Sequence, residues 1–330
     1  AQDSQYEIAL QSWEQALKIY REIKHRKGEG AALGNLAIGY NYLGNYPKAI
    51  EYHEQSLAIA REIKDRKNEV AALTNLGLVY DALGNYTKAI EYHEQSLAIT
   101  REIKDRNDEG FALNNLGIAY HALGNYPKAI EYYQQRLALA RQIKNRNNEG
   151  TALSNIGLAY YNLGNYPKAI EYQQQSLVIA REIKHRLGEV AVLNNLGLVY
   201  DALGNYSKAI KYHQQSLAIA REIKDRLGEG QSLNNLGLAF YKQGNFALAE
   251  SHLIEAVKFK ESLRGRELND SEKISIFDTQ RNTYNTLQKV FIAQNKVDAA
   301  LEIAERSRAR AFVELLASRL TANANDDLKS

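Results

Sequence analysis

One 40-residue pattern repeats along this chain. Its marker is an asparagine followed by Leu or Ile, then a small residue, and three places later Tyr or Phe, as in Asn75-Leu76-Gly77 and Tyr80. A constant period of this length, without insertions, arises from stacked copies of one supersecondary unit that bury apolar faces against their neighbours. The chain is therefore expected to form one elongated repeat array, in which surface binding matters more than a single active site. The marker recurs at Asn35, Asn75, Asn115, Asn155, Asn195 and Asn235.

Charge and composition exclude several function classes. The net charge is only +3, and opposite signs alternate along the repeat, as in residues 61–66, which is typical of a solvated helix face rather than a nucleic-acid surface. The chain has no cysteine, which excludes disulfides, thiolate metal sites and a cysteine nucleophile within it. No apolar run approaches the about 18 residues of a membrane span, and no leader pattern opens the chain. We expect a cytoplasmic protein with no nucleic-acid or membrane partner.

The repeat over residues 66–104 is predicted to form two helices. From Glu69 to Leu83 the apolar positions are spaced by three and four residues, which predicts an amphipathic first helix. Gly84 is suited to the left-handed turn that ends a helix, and Asn85 can cap the next one. Pro47, Pro127 and Pro167 follow this turn in other copies, where a first helical turn tolerates proline.

The second helix is predicted to begin near Tyr86 and to end in a cluster of cations that suits the carbonyl end of a helix. Small residues such as Gly77 and Ala89 would let the two helices approach closely. The apolar positions of this helix include Ala89, Ile90, His93, Leu97 and Ile103, and its final cations are Arg101, Lys104 and Arg106.

These residues carry a resemblance to a known family. The series Leu73-x-x-Leu76-Gly77-x-x-Tyr80, then Gly84, then Ala89-x-x-x-His93, resembles the tetratricopeptide repeat (TPR), with Leu in place of its usual Trp. The 40-residue length is similar to that of kinesin light chains and of the adaptor proteins that orient mitotic spindles. The resemblance implies an all-α fold, a right-handed TPR superhelix (α-solenoid) of antiparallel helix pairs, and a protein-binding role.

The period also sets expected boundaries. Residues 1–25 match the second helix of a truncated repeat, residues 26–264 hold six complete units, residues 265–320 hold a diverged seventh pair with a C-terminal capping helix, and residues 321–330 form a polar tail. First helices are expected near 28–43, 68–83, 108–123, 148–163, 188–203 and 228–243. The chain has no methionine, which indicates either a processed chain or a piece excised from a longer protein, and the patterns at its two ends favour excision. Residues 299–316 resemble the segment that joins repeats to the caspase-like CHAT domain in bacterial repeat proteins, so a peptidase-like part is expected downstream.

No catalytic or cofactor site is predicted. His53, His93 and His213 occupy equivalent places in different copies, where packing explains them better than metal binding, because metal ligands must converge. The Gly-Asn turns are helix ends and not phosphate loops, because no strand precedes them. Candidate acid or hydroxyl groups such as Glu51 and Ser56 are repeated surface types. We expect no enzyme, no metal and no cofactor.

By resemblance, the first helices line the concave wall, and the residues pointing inward are the marker asparagine, the residue before it, and those three and six places after it. A carboxamide both donates and accepts, which suits the backbone of an extended peptide. Packed helices lie roughly 10 Å apart and an extended chain advances about 3.3 Å per residue, so the six asparagines could engage roughly 10 to 15 peptide residues. The alternative is that each asparagine only ties one helix to the next.

The places near the asparagines predict an apolar strip with polar and aromatic edges, suited to a ligand with aliphatic anchors and a basic group. The alternative is that the strip belongs to the core between repeats. None of the inward places is basic, so the carboxylate clamp of chaperone-binding relatives is not expected. Three places after the marker stand Ile38, Leu78, Ile118, Leu158, Leu198 and Leu238, and six places after it stand Asn41, Asp81, His121, Tyr161, Asp201 and Tyr241.

The leading hypothesis is a non-enzymatic scaffold that binds an extended protein or peptide segment on this surface. A second hypothesis is a regulatory or sensor region of a larger CHAT protease protein. A third is self-association through the truncated N-terminal end, where residues without their usual cover would be exposed. Those residues are Ile8, Ala9, Trp13, Ala16 and Leu17.

Overall fold

The computed structural model describes residues 2–263 and 270–308, which are helical except for the short turns between helices. The chain divides into two compact units, Ala1–Ile183 and Lys184–Ser330. Within the described ranges there is no strand, so the all-α prediction is confirmed. None of the helices in these ranges combines the length and the apolar character needed to cross a membrane.

The first unit is a stack of nine helices in the described part, in which each helix packs on the next one along the chain. After α1, the helices alternate between first and second helices of a pair, as the 40-residue period predicts. Their bounds are α1 (Gln2–Glu22), α2 (Arg26–Tyr42), α3 (Tyr46–Glu62), α4 (Arg66–Ala82), α5 (Tyr86–Glu102), α6 (Arg106–Ala122), α7 (Tyr126–Gln142), α8 (Arg146–Asn162) and α9 (Tyr166–Glu182).

The second unit continues the same alternation. Asn295 has a left-handed φ of 59° at the turn that follows α14, in the place where Gly244 has a φ of 84°. The predicted seventh pair thus has its turn, but the rest of its predicted capping helix and the polar tail lie outside the described residues. The helices are α10 (Arg186–Ala202), α11 (Tyr206–Glu222), α12 (Arg226–Gln243), α13 (Phe246–Leu263), α14 (Asp270–Ala293) and α15 (297–308).

The turn inside each pair forms as the sequence predicts. Gly84 has a φ of 72°, the left-handed conformation that glycine adopts without a Cβ clash. The Asn85 side chain then accepts a hydrogen bond from the backbone N–H of Lys88 at 3.3 Å and caps α5. Both predicted roles are confirmed.

The turn between pairs differs from the prediction. Lys64 adopts a left-handed φ of 55°, although it is not a glycine, and Asp65 then caps α4 through the N–H of Asn68 at 3.2 Å. Because of this cap, α4 begins at Arg66, earlier than predicted. The corresponding Arg106 opens α6 instead of closing α5, so its assignment to the carbonyl end of the second helix was wrong.

A buried carboxylate fastens the turn between α3 and α4. Glu69 is 4% exposed and accepts hydrogen bonds from Arg61 Nε at 2.9 Å and Arg66 Nη1 at 2.8 Å. Burial opposes its ionisation, but the two guanidinium hydrogen bonds outweigh that effect and lower the pKa of Glu69. The charged side chains that alternate along the repeat therefore connect the end of one helix to the start of the next. Ion pairs confined to the solvated face of a single helix would not make this connection.

The core of each pair depends on a close approach between helices. A Cβ added to Gly77 would lie 2.3 Å from His93 Cε1, and His93 is fully buried. Tyr133 fills the equivalent space over Gly117. His53 and His213 are each 1% exposed, so the prediction that the repeated histidines are packing residues is confirmed.

The predicted exposure of the N-terminal helix is only partly correct. Ile8 is exposed, whereas Ala9, Trp13 and Ala16 are half-buried. Leu17 is buried, so its assignment to an uncovered surface was wrong. The reason is that α2 covers this side of α1, as a following first helix covers any second helix in the stack.

Candidate functional site

The first helices α2, α4 and α6 form the inner side of the stack in unit 1. Helices α2 and α4 contact each other directly, and so do α4 and α6. No comparable contact joins the second helices α3 and α5 in this described part of the chain. Closer spacing on one side of a stack makes that side the concave one. The surface formed by α2, α4 and α6 is called the inner face below.

Three marker asparagines lie on the inner face with free amide groups. Asn35 is exposed, and Asn75 and Asn115 are half-buried. None of the three side chains forms a hydrogen bond with any residue that the structure describes. Since a carboxamide both donates and accepts, these groups are available to a ligand backbone.

The remaining asparagines behave differently. Asn155 donates through Nδ2 to Asn114 Oδ1 at 3.2 Å and so ties α8 to α6, which is the structural role considered above. Asn195 is half-buried and interacts with other residues of the protein. Asn235 is only 8% exposed, and its placement on an accessible surface was wrong. The longer α14 packs on α12 there, which removes this surface from solvent.

The apolar residues beside the free asparagines are on the surface and not in the core. Leu78 is 45% exposed and Ile118 is 46% exposed, and Ile38 is also exposed. The equivalent residues Leu158, Leu198 and Leu238 are half-buried. The inner face therefore presents an apolar row interrupted by amide groups.

The sequence interpretation missed one large residue on this face. Phe111 lies one helical turn before Asn115 on α6 and is 57% exposed. A signal was available, since the same place holds the small residues Ala31, Ala71 and Thr151 in other copies. A single large aromatic residue at an exposed repeat position is typical of a contact residue.

The residues predicted as the edge of the strip are largely engaged within the protein. Asp81 Oδ2 lies 3.1 Å from His93 Nε2, and Asp201 pairs with Lys242. Both carboxylates are thus engaged by other residues of the protein, and Asp201 is paired with a cation.

The other edge residues make similar internal contacts. Burial lowers the pKa of His121, whose Nε2 is 2.8 Å from Asn162 Nδ2. Tyr161 and Tyr241 pack against the aromatic rings of Tyr166 and Phe246.

A separate open groove of about 830 Å³ lies along the turns between the first pairs of unit 1. Its lining includes Lys64, Lys67 and Lys104, so it is basic. Arg66 and Arg106 also line it, but both are held by buried glutamates. The groove lies on the turn edge of the stack and does not include the inner-face asparagines.

Solved structures share this fold at low sequence identity. A signal-transduction ATPase of the STAND class with a tetratricopeptide-repeat sensor, from Pyrococcus horikoshii, is 19% identical, with a TM-score of 0.67, over 96% of this chain and 48% of that one. BtubC (BKLC) from P. vanneervenii is 21% identical, with a TM-score of 0.60, over 68% and 94% of the two chains. A Rap protein complexed with competence and sporulation factor is 17% identical, with a TM-score of 0.54, over 91% and 89%.

Sequence comparisons point to the same repeat. Tetratricopeptide repeat protein 28 from Mus musculus is 38% identical over 80 residues, which are 24% of this chain but only 3% of that protein's length. The sequence model of the tetratricopeptide-repeat family matches residues 1–62, 68–142, 148–222 and 202–262, which together cover most of the chain. The chain belongs to the tetratricopeptide-repeat family.

Proposed function

We propose that this chain is a non-enzymatic protein-interaction scaffold that binds an extended peptide segment on the inner face of unit 1. The observation that carries the proposal is the free amide groups of Asn75 and Asn115 beside the exposed Leu78 and Ile118. Polar groups without internal partners next to exposed apolar side chains are the arrangement that a peptide ligand satisfies.

The spacing of the inner face suits an extended ligand. Neighbouring first helices lie roughly 10 Å apart, which corresponds to about three residues of an extended chain. Every third peptide unit could thus exchange hydrogen bonds with one asparagine, while its side chains contact the apolar row. With Asn35, Asn75 and Asn115 free, a segment of roughly ten residues fits unit 1.

The comparison with a Rap protein complexed with competence and sporulation factor supports this proposal at the level of the fold. In that structure, helix pairs of the same architecture occur together with a bound factor. Its low sequence identity means that residue roles do not transfer, so the ligand-contacting residues are proposed from the geometry of this chain alone.

The experiment uses a pool of acetylated and amidated ten-residue peptides with random sequence, passed over the immobilised protein and quantified by mass spectrometry. Changing Asn75 and Asn115 together to Ala should reduce peptide retention about tenfold, because two side-chain amides that bond to the peptide backbone are lost. The melting temperature should be nearly unchanged, because neither side chain has an internal hydrogen bond.

A matched control removes two carboxamides from the outer helices. Gln134 and Gln174 are exposed on α7 and α9, and changing both to Ala should leave retention unchanged. Equal retention by the asparagine variant and the wild type would contradict a role for the inner face.

One observation favours the regulatory alternative. In the STAND protein of similar fold, the tetratricopeptide repeats are described as a sensor. A CHAT domain downstream of this chain is proposed only from the resemblance of residues 299–316, which extends beyond the described residues. Sequencing the full reading frame decides it, since a stop codon directly after Ser330 would remove the idea.

Self-association is the second alternative. Ile8 is 64% exposed and Ile19 is 54% exposed on α1, which leaves apolar surface for a second copy of the chain. Light scattering over a dilution series distinguishes the cases, because a constant monomer mass would exclude this association.

A further inference from the structure

Arg136 is a buried cation without a counter-ion. It lies on α7 and is only 6% exposed. No carboxylate among the described residues pairs with it. In four other repeats this place holds a serine: Ser56, Ser96, Ser176 and Ser216.

The contacts of Arg136 are with neutral amides. Nη1 donates to Asn114 Oδ1 at 2.6 Å, and Nη2 donates to Asn148 Oδ1 at 3.3 Å. Its Nε is buried and has no hydrogen-bond partner. The guanidinium thus lies between α6, α7 and α8 with its Nε donor unsatisfied and its charge uncompensated.

Such an arrangement is costly for a structural residue. A buried charge is ordinarily paired, because neutral hydrogen bonds do not recover the free energy that its desolvation costs. Burial accordingly lowers the pKa of Arg136. The serine found elsewhere carries no such cost, since Ser176 simply donates to Gly150 O at 2.8 Å. A specific anion would offset the cost.

Arg136 is connected to the inner face through its partner Asn114 on α6. Asn114, which accepts its hydrogen bond, is half-buried on α6 and also accepts from Asn155. Asn114 lies between the exposed Phe111 and Ile118, which are three and four residues away on the same helix face. The hydrogen bond from Arg136 Nη1 to Asn114 therefore links the guanidinium to a residue of this surface.

We propose that Arg136 binds a carboxylate of the peptide ligand, with Phe111 and Ile118 contacting apolar residues on either side of it. This inference rests on the proposed function and specifies its ligand as an extended segment with one acidic group between apolar anchors. Rotation of the Asn114 amide would exchange its oxygen for its Nδ2 group, which can donate to the same carboxylate. The single positive charge of Arg136 matches a carboxylate better than a phosphate dianion.

The test uses ten-residue peptide pools from which Asp and Glu are left out of the random positions, with one central position fixed as Glu or as Gln, both amidated at the C-terminus. A third pool has a free C-terminal carboxylate and a fixed Gln, which separates a side-chain source of the carboxylate from a terminal one. Wild-type protein should retain one of the two carboxylate pools about tenfold more than the amidated Gln pool, because a hydrogen-bonded charge pair is gained.

Arg136→Ser restores the residue of the other repeats and should fold normally, with a melting temperature equal to or above that of the wild type. Its retention of the carboxylate pool that the wild type prefers should fall to that of the amidated Gln pool. Lys144→Asn is the charge-matched control, because it removes an exposed cation from a left-handed turn position that asparagine tolerates. This control should keep the tenfold preference.

The outcomes separate the two proposals. If wild-type protein retains peptides but does not distinguish the carboxylate pools from the Gln pool, the Arg136 inference is wrong and the inner-face proposal stands. The same holds if Arg136→Ser keeps the preference. If wild-type protein retains no peptide from any pool, the inner-face proposal fails and the inference fails with it.

Discussion

Lowering the pH from 6.5 to 4 should destabilise this protein strongly through two buried histidines. His53 and His213 are each 1% exposed, and burial lowers the pKa of each from 6.5 to about 4. In this window the unfolded chain binds a proton at each histidine and the folded chain does not, so stability is present above pH 6.5 and is lost on acidification. Each should contribute a loss of about 2–3 kcal/mol by pH 4.

The measurement is chemical denaturation at several pH values, for the wild type and for a variant with both His53→Gln and His213→Gln. Glutamine already occupies the equivalent buried place at Gln173, where it donates to Ser154 O at 2.9 Å. Titration of the carboxylates affects both proteins alike, so the difference between them isolates the histidines. A wild-type protein whose stability declines no faster than that of the variant between pH 6.5 and 4 would contradict the burial of neutral histidines.

Gly117→Ala should cost about 2 kcal/mol of unfolding free energy, in spite of the better helix propensity of alanine. The added Cβ would lie 2.3 Å from Tyr133 Cε1, and Tyr133 is only 3% exposed, so the ring has little room to move. The helices α6 and α7 would have to separate, which loosens the core of their pair.

Gly110→Ala on the same helix is the matched control. A Cβ there would meet Leu139 Cδ2 at 3.7 Å, an ordinary van der Waals distance. This variant should be more stable than the wild type by up to about 1 kcal/mol, because alanine restricts the unfolded chain. Midpoints of urea denaturation give both values, and a Gly117→Ala protein as stable as Gly110→Ala would show that the close approach is not required.

The sequence predicted the helix pairs because their local signals agree. The glycine at the turn, the asparagine cap and the helical spacing of apolar residues all favour the same structure. The turn between pairs was misread because Lys64 adopts a left-handed conformation that sequence rules assign to glycine or asparagine. Here the helix cap at Asp65 and the ion pairs of Glu69 with Arg61 and Arg66 outweigh the unfavourable backbone conformation of Lys64.

The candidate site was less predictable than the fold. Equal spacing gave all the marker asparagines the same expected role, yet only contacts between helices distinguish the free Asn115 from the engaged Asn155 and the buried Asn235. The sequence did not indicate Arg136 as a site residue because it lies on a second helix. The only signal in the sequence is its contrast with the serines at the same place in other repeats. Its burial without a counter-ion is a property of the packed structure.

Photo-crosslinking tests the central claim that the inner face of unit 1 holds the ligand. A benzophenone-bearing phenylalanine analogue replaces Phe111, which is exposed on α6, and in a second protein it replaces Gln134, which is exposed on α7. After binding of the random peptide pool and irradiation, mass spectrometry should find peptide attached at position 111 and little or none at 134. Attachment mainly at position 134, or equally at both positions, would contradict the inner face as the binding surface.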